Sequence, residues 1–105
     1  MKAPKIKTPK FDGDPTLCLA GKDNGKAYLH KIRFNVVGVG KRAKIIALWL
    51  KDFGHTPGTS IIASFSNTAE GIQNFMHYVE DLSSRGYQGS FAVNVDSDLF
   101  EEEDL

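Results

Sequence analysis

The sequence predicts an α+β domain of about five mostly antiparallel strands with one amphipathic helix packed on the sheet. Three observations predict it: apolar side chains recur at helical spacing between residues 67 and 87, strand-like runs flank this segment, and an Asn24-Gly25 pair between two such runs is typical of a β-hairpin. With 105 residues, the chain is long enough for one core. We therefore expect a single domain over residues 1–95, followed by an acidic and disordered tail at 96–105.

The helix is the element that the sequence predicts most strongly. Its apolar side chains form one stripe, and polar side chains fall on the opposite side. Asn67 is expected to cap the start of the helix, with Glu70 reaching back to the cap amide. Gly86 is expected to end it in a left-handed conformation, with Tyr87 folding back on Leu82. The apolar stripe consists of Ile72, Phe75, Met76, Val79 and Leu82.

The first half of the chain reads as an arm and a hairpin. Residues 1–10 hold two prolines and several lysines, so we expect a basic arm that is flexible or lies along a sheet edge. The FDGDP segment at 11–15 is expected to be a turn because Asp, Gly and Pro favour turn conformations. A short strand at 16–20 and a long strand at 28–39 follow on either side of the Asn-Gly turn.

The second half contains one ambiguous segment. Residues 38–44 hold two glycines and three cations and are expected to form a basic turn. Residues 43–53 include an apolar run that fits either a central strand or a short buried helix. We favour a strand, because the β-branched pair and the tryptophan suit one. Further strands are expected at 60–65, before the helix, and at 87–95, after it.

The composition bounds the cellular setting. Cys18 is the one cysteine of the chain, so the sequence has no disulfide framework and fits a reducing compartment. The N-terminal segment has no apolar region typical of a secretory signal. The longest apolar run, residues 45–50, is too short to span a bilayer. We therefore expect a soluble, cytoplasmic protein that does not bind membranes.

The charge is divided unequally along the chain, although its formal net value is zero. Residues 1–51 carry twelve Lys or Arg and three Asp, whereas residues 52–105 carry one Arg and ten Asp or Glu. This asymmetry suggests a basic binding surface and an acidic tail. The alternative is that folding interleaves the two halves into a mixed surface, since sequence halves are not surface halves.

The candidate catalytic groups are scattered. Cys18 lies between two leucines, a setting typical of a buried structural thiol. His77 and Asp81 are one helical turn apart and fit a surface pair. No histidine or cysteine spacing typical of a metal site is present. We therefore expect no catalytic site, no metal site and no cofactor.

Binding of single-stranded nucleic acid fits the sequence better. Such binding needs cations that neutralise phosphates and exposed aromatic faces on which bases stack. Lysine and arginine side chains would contact phosphate, and Tyr28 or Trp49 would stack on a base. The alternative for Trp49 is a core position. The candidate nucleic-acid-binding residues are Tyr28, Lys31, Arg33, Lys41, Arg42, Lys44 and Trp49.

The last ten residues resemble, in composition, the acidic tails of bacterial and phage single-stranded DNA-binding proteins. The resemblance covers residues 96–105 alone, since the strand order does not fit the OB fold and the chain does not end in Pro-Phe or Phe. It implies that the tail recruits a protein partner and competes with DNA. The candidate partner-binding residues are Asp98, Phe100, Glu101, Glu102 and Glu103.

The alternative function is that of a protein-interaction module. A small phage- or plasmid-type regulator, inhibitor or nucleic-acid mimic would act through the acidic helix face and the tail. A contiguous acidic face from Glu80 and Asp81 into the tail would favour this alternative, and a contiguous basic face would favour nucleic acid. A homodimer fits either function, because one helix covers one face of the sheet and leaves the other in need of cover.

Overall fold

The computed structural model describes residues 6–51 and 58–100. Within them, six strands form two antiparallel sheets and one helix lies between the last two strands, which confirms the α+β class. No helix in these ranges is long and apolar enough to cross a membrane. The elements are β1 (Lys10–Gly13), β2 (Thr16–Asp23), β3 (Lys26–Val37), β4 (Lys44–Lys51), β5 (Gly58–Ser66), α1 (Ala69–Ser84) and β6 (Phe91–Asn94), with 3₁₀ turns at Gly40–Arg42 and Ser97–Phe100.

Strands β2 to β5 form a four-stranded meander, and β1 pairs with β6 in a separate two-stranded sheet. A bridge between Cys18 and Gln88 links the two sheets, so the segment that leads into β6 also lies beside β2. The β2–β3 hairpin turns at Asn24 and Gly25, which have φ of 53° and 79°. Two left-handed residues in succession match the twist of a two-residue hairpin, as the Asn-Gly pair predicts.

Helix α1 covers one face of the meander, which we call the inner face; the opposite face is the outer face. The core lies between α1 and the inner face, and Phe11 of β1 closes its side. The rings of Phe34 and Phe75 meet edge to face with centroids 5.0 Å apart, and Phe65 meets Phe75 at 5.6 Å. Such contacts add to the gain from burying apolar area. The fully or nearly fully buried apolar residues of this core are Leu17, Ile32, Phe34, Ile45, Ala47, Ile72, Phe75 and Leu82.

The helix start differs from the prediction by one residue. Thr68 is the N-cap, and its hydroxyl accepts a hydrogen bond from the Gly71 backbone N–H at 3.0 Å. Asn67 is instead buried, and its side chain bonds other segments of the chain. The predicted helix end is confirmed, since Gly86 has φ of 104° and the Tyr87 N–H donates to the Leu82 carbonyl at 3.1 Å.

The predicted turn at 11–15 is wrong for its first three residues, which belong to β1. Pairing of β1 with β6 brings Phe11 against Phe34 and Phe75, and this packing overrides the local turn preference. The strand prediction for 43–53 is confirmed over Lys44–Lys51, and residues 52–57 lie outside the described ranges. The last strand is shorter than the predicted 87–95 and covers Phe91–Asn94.

The two ends of the described chain meet. The Lys7 N–H donates to the Asp96 carboxylate at 2.9 Å, and the same carboxylate accepts from the Asp98 N–H at 2.9 Å. Leu99 packs against the core. Lys7, in the arm predicted to be flexible or to lie along a sheet edge, and residues 96–99, in the predicted tail, therefore contact the rest of the domain. Residues 1–5 and 101–105 lie outside the described ranges.

Candidate nucleic-acid interface

The outer face of the meander is not covered by any element of the described chain. Its side chains alternate with those of the core: Lys31 and Arg33 point outward from β3, whereas Ile32 between them and Phe34 after them are buried. Antiparallel partners share a face, so Leu50 and Leu48, the β4 partners of these two cations, lie beside them. The strand period of two thus places two cations side by side on an open sheet surface.

The outer face is positive. Lys31, Arg33 and Lys44 are all exposed, and none of them forms an ion pair with another described residue. Asp23 is the one acidic residue within β2–β5 as described, and it is at the end of the hairpin, opposite Lys26. Three cations outnumber the one carboxylate near them, that of Asp14 in the segment before β2, so this surface attracts phosphate more strongly than an evenly mixed surface does.

The remaining predicted cations lie at one end of this face. Lys44 is on the outer face itself, as the partner of Val37. Lys41 and Arg42 belong to the 3₁₀ turn between β3 and β4, and both are exposed. Thr8 holds this turn in place, since its hydroxyl accepts a hydrogen bond from the Gly40 N–H at 2.7 Å. The structure therefore brings all five predicted cations to one face and its adjoining end.

The predicted stacking residues lie elsewhere. Trp49 is the β4 partner of buried Ile32, and Tyr28 is on the same side of β3, so both belong to the inner face beyond α1. With His30 they form a row, with ring centroids 4.9 Å apart for Tyr28 and His30 and 5.8 Å for His30 and Trp49. Opposite Tyr28, Gly21 leaves space for its ring. The structure does not bring these rings together with Lys31 and Arg33.

Apolar contacts on the outer face come from aliphatic side chains instead. Leu29 is 53 % exposed and Ile61 is 65 % exposed. Ile61 pairs with Leu48 after a bulge in the β4–β5 ladder. The bulge shifts the alternation of β5, so that Ile61 faces outward although a regular pattern from Ala63 would turn it inward. Sequence alternation alone could not have found this contribution to the outer face.

A depression of about 430 Å³ lies on the outer face, between β3 and the segment before β6. Lys31, Arg33 and Leu50 form one side of it, and Gln88 to Ser90 form the other. Cys18 and Thr16 lie between them, with the Asp14 carboxylate at the rim. Residue periodicity does not predict this depression, because the bridge between Cys18 and Gln88 depends on long-range pairing. Its one local signal is Gly89, which lets the two segments approach.

Two of the five predicted partner-binding residues lie in the described part of the tail. Asp98 and Phe100 lie in the 3₁₀ turn after β6, where both are exposed, and Glu101 to Glu103 lie outside the described ranges. Asp96 anchors this turn. Hydrogen bonds from the Asp98 and Lys7 N–H groups stabilise its charged form and hold the pKa of the Asp96 carboxyl below its usual value.

No group of three or more His, Cys, Asp or Glu side chains within residues 6–51 and 58–100 is arranged to hold a metal ion. The site thus consists of cations, small polar side chains and aliphatic contacts on an open sheet. Comparison of the chain with protein-family models, with curated protein sequences and with solved structures finds no match.

Proposed function

We propose that this chain is a small, non-catalytic, cytoplasmic protein that binds single-stranded nucleic acid on the outer face of its sheet. The observation that supports the proposal most directly is the uncovered strand surface, on which Lys31, Arg33 and Lys44 outnumber Asp14, the one carboxylate that lines the depression. A single nucleic-acid strand in an extended conformation can lie along such a surface, with its phosphates near the cations and its bases against Leu29, Leu50 and Ile61.

The second candidate function, an interaction module with an acidic face, has weaker support from the geometry. The exposed acids of α1 are separated, with Glu70 in the first turn and Glu80 and Asp81 in the last. Asp81 is also paired with Arg85 at 3.0 Å. Asp96 accepts a hydrogen bond from the Lys7 N–H, and the Lys7 carbonyl accepts one from Asn67, just before the helix. The tail therefore begins near the start of α1, whereas Asp81 is near its end. Within the described residues, Glu80 and Asp81 are therefore separated from the acids of the tail.

The acidic tail belongs to the proposal as a recruiting segment for a protein partner. Because Asp96 holds the Lys7 backbone and Leu99 packs on the core, removing residues 96–105 would also disturb the fold. A chain that ends at Phe100 removes three glutamates and Asp104 and leaves these contacts intact. The tail is a competitor for the cationic face if this shortened chain binds nucleic acid more tightly than the full chain at low salt.

Fluorescence anisotropy of a labelled single-stranded oligonucleotide, with duplex of the same sequence for comparison, tests the function. Binding should weaken as salt rises, since each phosphate contact adds about 0.7 to the slope of log K against log salt for single strands. Replacing Lys31 and Arg33 together with Ala should weaken binding and lower that slope by about 1.4. Single-stranded oligonucleotide should bind more tightly than duplex, because an open sheet offers bases a surface to contact.

A matched variant separates position from charge. The double variant Lys26→Ala with Arg85→Ala also removes one lysine and one arginine, but from the end of the hairpin and the end of the helix, away from the outer face. Its salt slope should stay within about 0.5 of that of the unaltered chain. No binding by the full chain at low salt would remove the nucleic-acid function, and equal losses in the two double variants would place the interface elsewhere.

A further inference from the structure

We propose that the depression beside Cys18 holds one nucleotide unit of the bound strand, with its phosphate between Lys31 and Arg33. The inference rests on the proposed function and deepens it, because it assigns a ligand group to a particular place on the outer face. The depression has a volume of about 430 Å³, within the range of pockets that hold small organic ligands.

The depression results from a row of paired residues across three strands and the segment before β6. Gln88 pairs with Cys18, Cys18 with Lys31, and Lys31 with Leu50, so these four side chains stand side by side on the outer face. Cys18 is the smallest of the four, and its longer neighbours rise on both sides of it. Reciprocal hydrogen bonds of 2.8 Å between the Cys18 and Gln88 backbones fix the width of the row.

The charges and polar groups match a phosphate ester better than a neutral ligand. Two residues along β3 separate the cations by about 7 Å, so one phosphate can be contacted from both sides. Hydroxyls of Thr16 and Ser90 and the Gln88 amide surround the remaining space. Asp14 opposes the two cations with one charge, and it accepts a hydrogen bond from the Thr16 hydroxyl at 2.8 Å. Its carboxylate is available to a sugar hydroxyl or an exocyclic amine but not to phosphate.

Cys18 provides a direct probe, since it is the one cysteine of the chain and lines the depression with a free thiol. The rate of its alkylation by N-ethylmaleimide would be measured on the full chain with a deoxythymidine decamer, thymidine 5′-monophosphate or inorganic phosphate. A decamer at about four times its Kd should slow alkylation about fivefold, because one fifth of the chain stays free. The monophosphate should protect the thiol at higher concentration, and inorganic phosphate at the same concentration should protect it less.

Three variants make the test specific. Ser90→Leu fills the rim without changing charge, and should abolish protection by the monophosphate; Ser64→Leu, on β5 of the same face, should not. Lys31→Ala with Arg33→Ala should also abolish it. Circular dichroism of each variant confirms that it is folded.

The outcomes separate this inference from the proposed function. An oligonucleotide that binds by anisotropy but leaves the Cys18 rate unchanged would overturn the inference and leave the function standing. Equal protection by inorganic phosphate would also overturn it, since the depression would then hold an anion rather than a nucleotide. A chain that binds no oligonucleotide would overturn both.

Discussion

The Asn67 side-chain amide donates to the Gly40 carbonyl oxygen at 2.8 Å and ties the start of α1 to the turn before β4. The same amide donates to the Lys7 carbonyl at 3.0 Å, so one side chain, 1 % exposed, joins three segments that are distant in sequence. The Asn67 Oδ1 atom is buried and accepts no hydrogen bond from a described residue. Both amide hydrogens are therefore used to fix backbone, at the cost of one unsatisfied acceptor.

Replacing Asn67 with Ala should destabilise the fold by about 2 kcal/mol, because the Lys7 and Gly40 carbonyl oxygens, in part-buried hydrogen bonds, lose their donor. Urea unfolding would show a lower midpoint with an unchanged m-value. Asn35→Ala, an exposed position on β3, serves as the control and should change stability by less than about 0.5 kcal/mol. Equal stability of the two variants would mean that the three-segment junction does not hold the fold together.

At Gly71, two effects of an alanine substitution oppose each other: a gain in helix propensity and a steric overlap with β5. Alanine favours a helix over glycine by about 1 kcal/mol. However, a Cβ at this position would overlap the Ser66 backbone oxygen, which cannot rotate away as a flexible side chain can. Overpacking of this kind costs about 1–3 kcal/mol, so Gly71→Ala should be destabilising on balance.

Thermal unfolding of Gly71→Ala would show this as a lower Tm. Ser83→Ala, on the exposed side of the same helix, has no such neighbour and should raise stability by a few tenths of a kcal/mol through propensity alone. A stabilising effect of Gly71→Ala would contradict the close contact between α1 and the end of β5.

Asp96 should make part of the stability depend on pH in the acidic range. Its pKa is lowered in the folded state by hydrogen bonds from the Asp98 and Lys7 N–H groups, in that order. A lowered carboxyl pKa contributes stability that is complete above the unfolded value of about 3.9 and is lost as pH falls through the folded value. The chain should therefore lose this contribution below about pH 4.

Asp96→Asn should be less stable at pH 7 and should lose less stability between pH 5 and pH 2 than the unaltered chain, by urea unfolding at each pH. The control Asp12→Asn removes an exposed carboxylate of β1 and should lower stability at pH 7 less than Asp96→Asn does. The same pH profile for Asp96→Asn and the unaltered chain would show that the two chain ends are not joined through this carboxylate.

The sequence predicts the elements of this fold well where local chemistry decides them. The Asn24-Gly25 turn, the apolar stripe of α1 and the Gly86 end are determined by residues that are close in the chain. Long-range pairing decides the rest: β1 exists because β6 lies beside it, and Asn67 is a junction rather than a cap because Lys7 and Gly40 reach it.

The candidate site shows the same division. That Lys31 and Arg33 share a face follows from the period of a strand. That Tyr28 and Trp49 lie on the other face depends on the register of β3 with β4, which pairs Trp49 with buried Ile32. The contribution of Ile61 depends on a bulge, which shifts the alternation within β5 and is invisible to periodicity.

The number of phosphate contacts made by the basic turn can be measured from the salt dependence of binding. Replacing Lys41, Arg42 and Lys44 together with Ala should weaken binding of a single-stranded oligonucleotide and lower its salt slope. A fall of about 2 means that all three cations contact phosphate, whereas a fall of about 0.7 means that one of them does. We expect the larger value, because Lys44 is on the outer face and the turn adjoins its end. An unchanged slope would place the turn outside the interface.

Substitutions at Tyr28 and Leu29 would show which face of the sheet the bound nucleic acid follows. They are neighbours in β3 with 37 % and 53 % exposure, and they point to opposite faces. If the nucleic acid lies on the outer face, Leu29→Ala should weaken oligonucleotide binding severalfold through lost apolar contact. Tyr28→Ala should then change Kd by less than about twofold.

The opposite result has an equally definite meaning. Stacking of a base on an aromatic ring is worth about 1–3 kcal/mol by alanine substitution, which corresponds to a loss of about fivefold or more in Kd. Such a loss in Tyr28→Ala, with little effect of Leu29→Ala, would move the interface to the row of Tyr28, His30 and Trp49 on the inner face. Because the two residues are adjacent and similarly exposed, a general loss of stability in the hairpin would affect both variants alike and would not imitate either result.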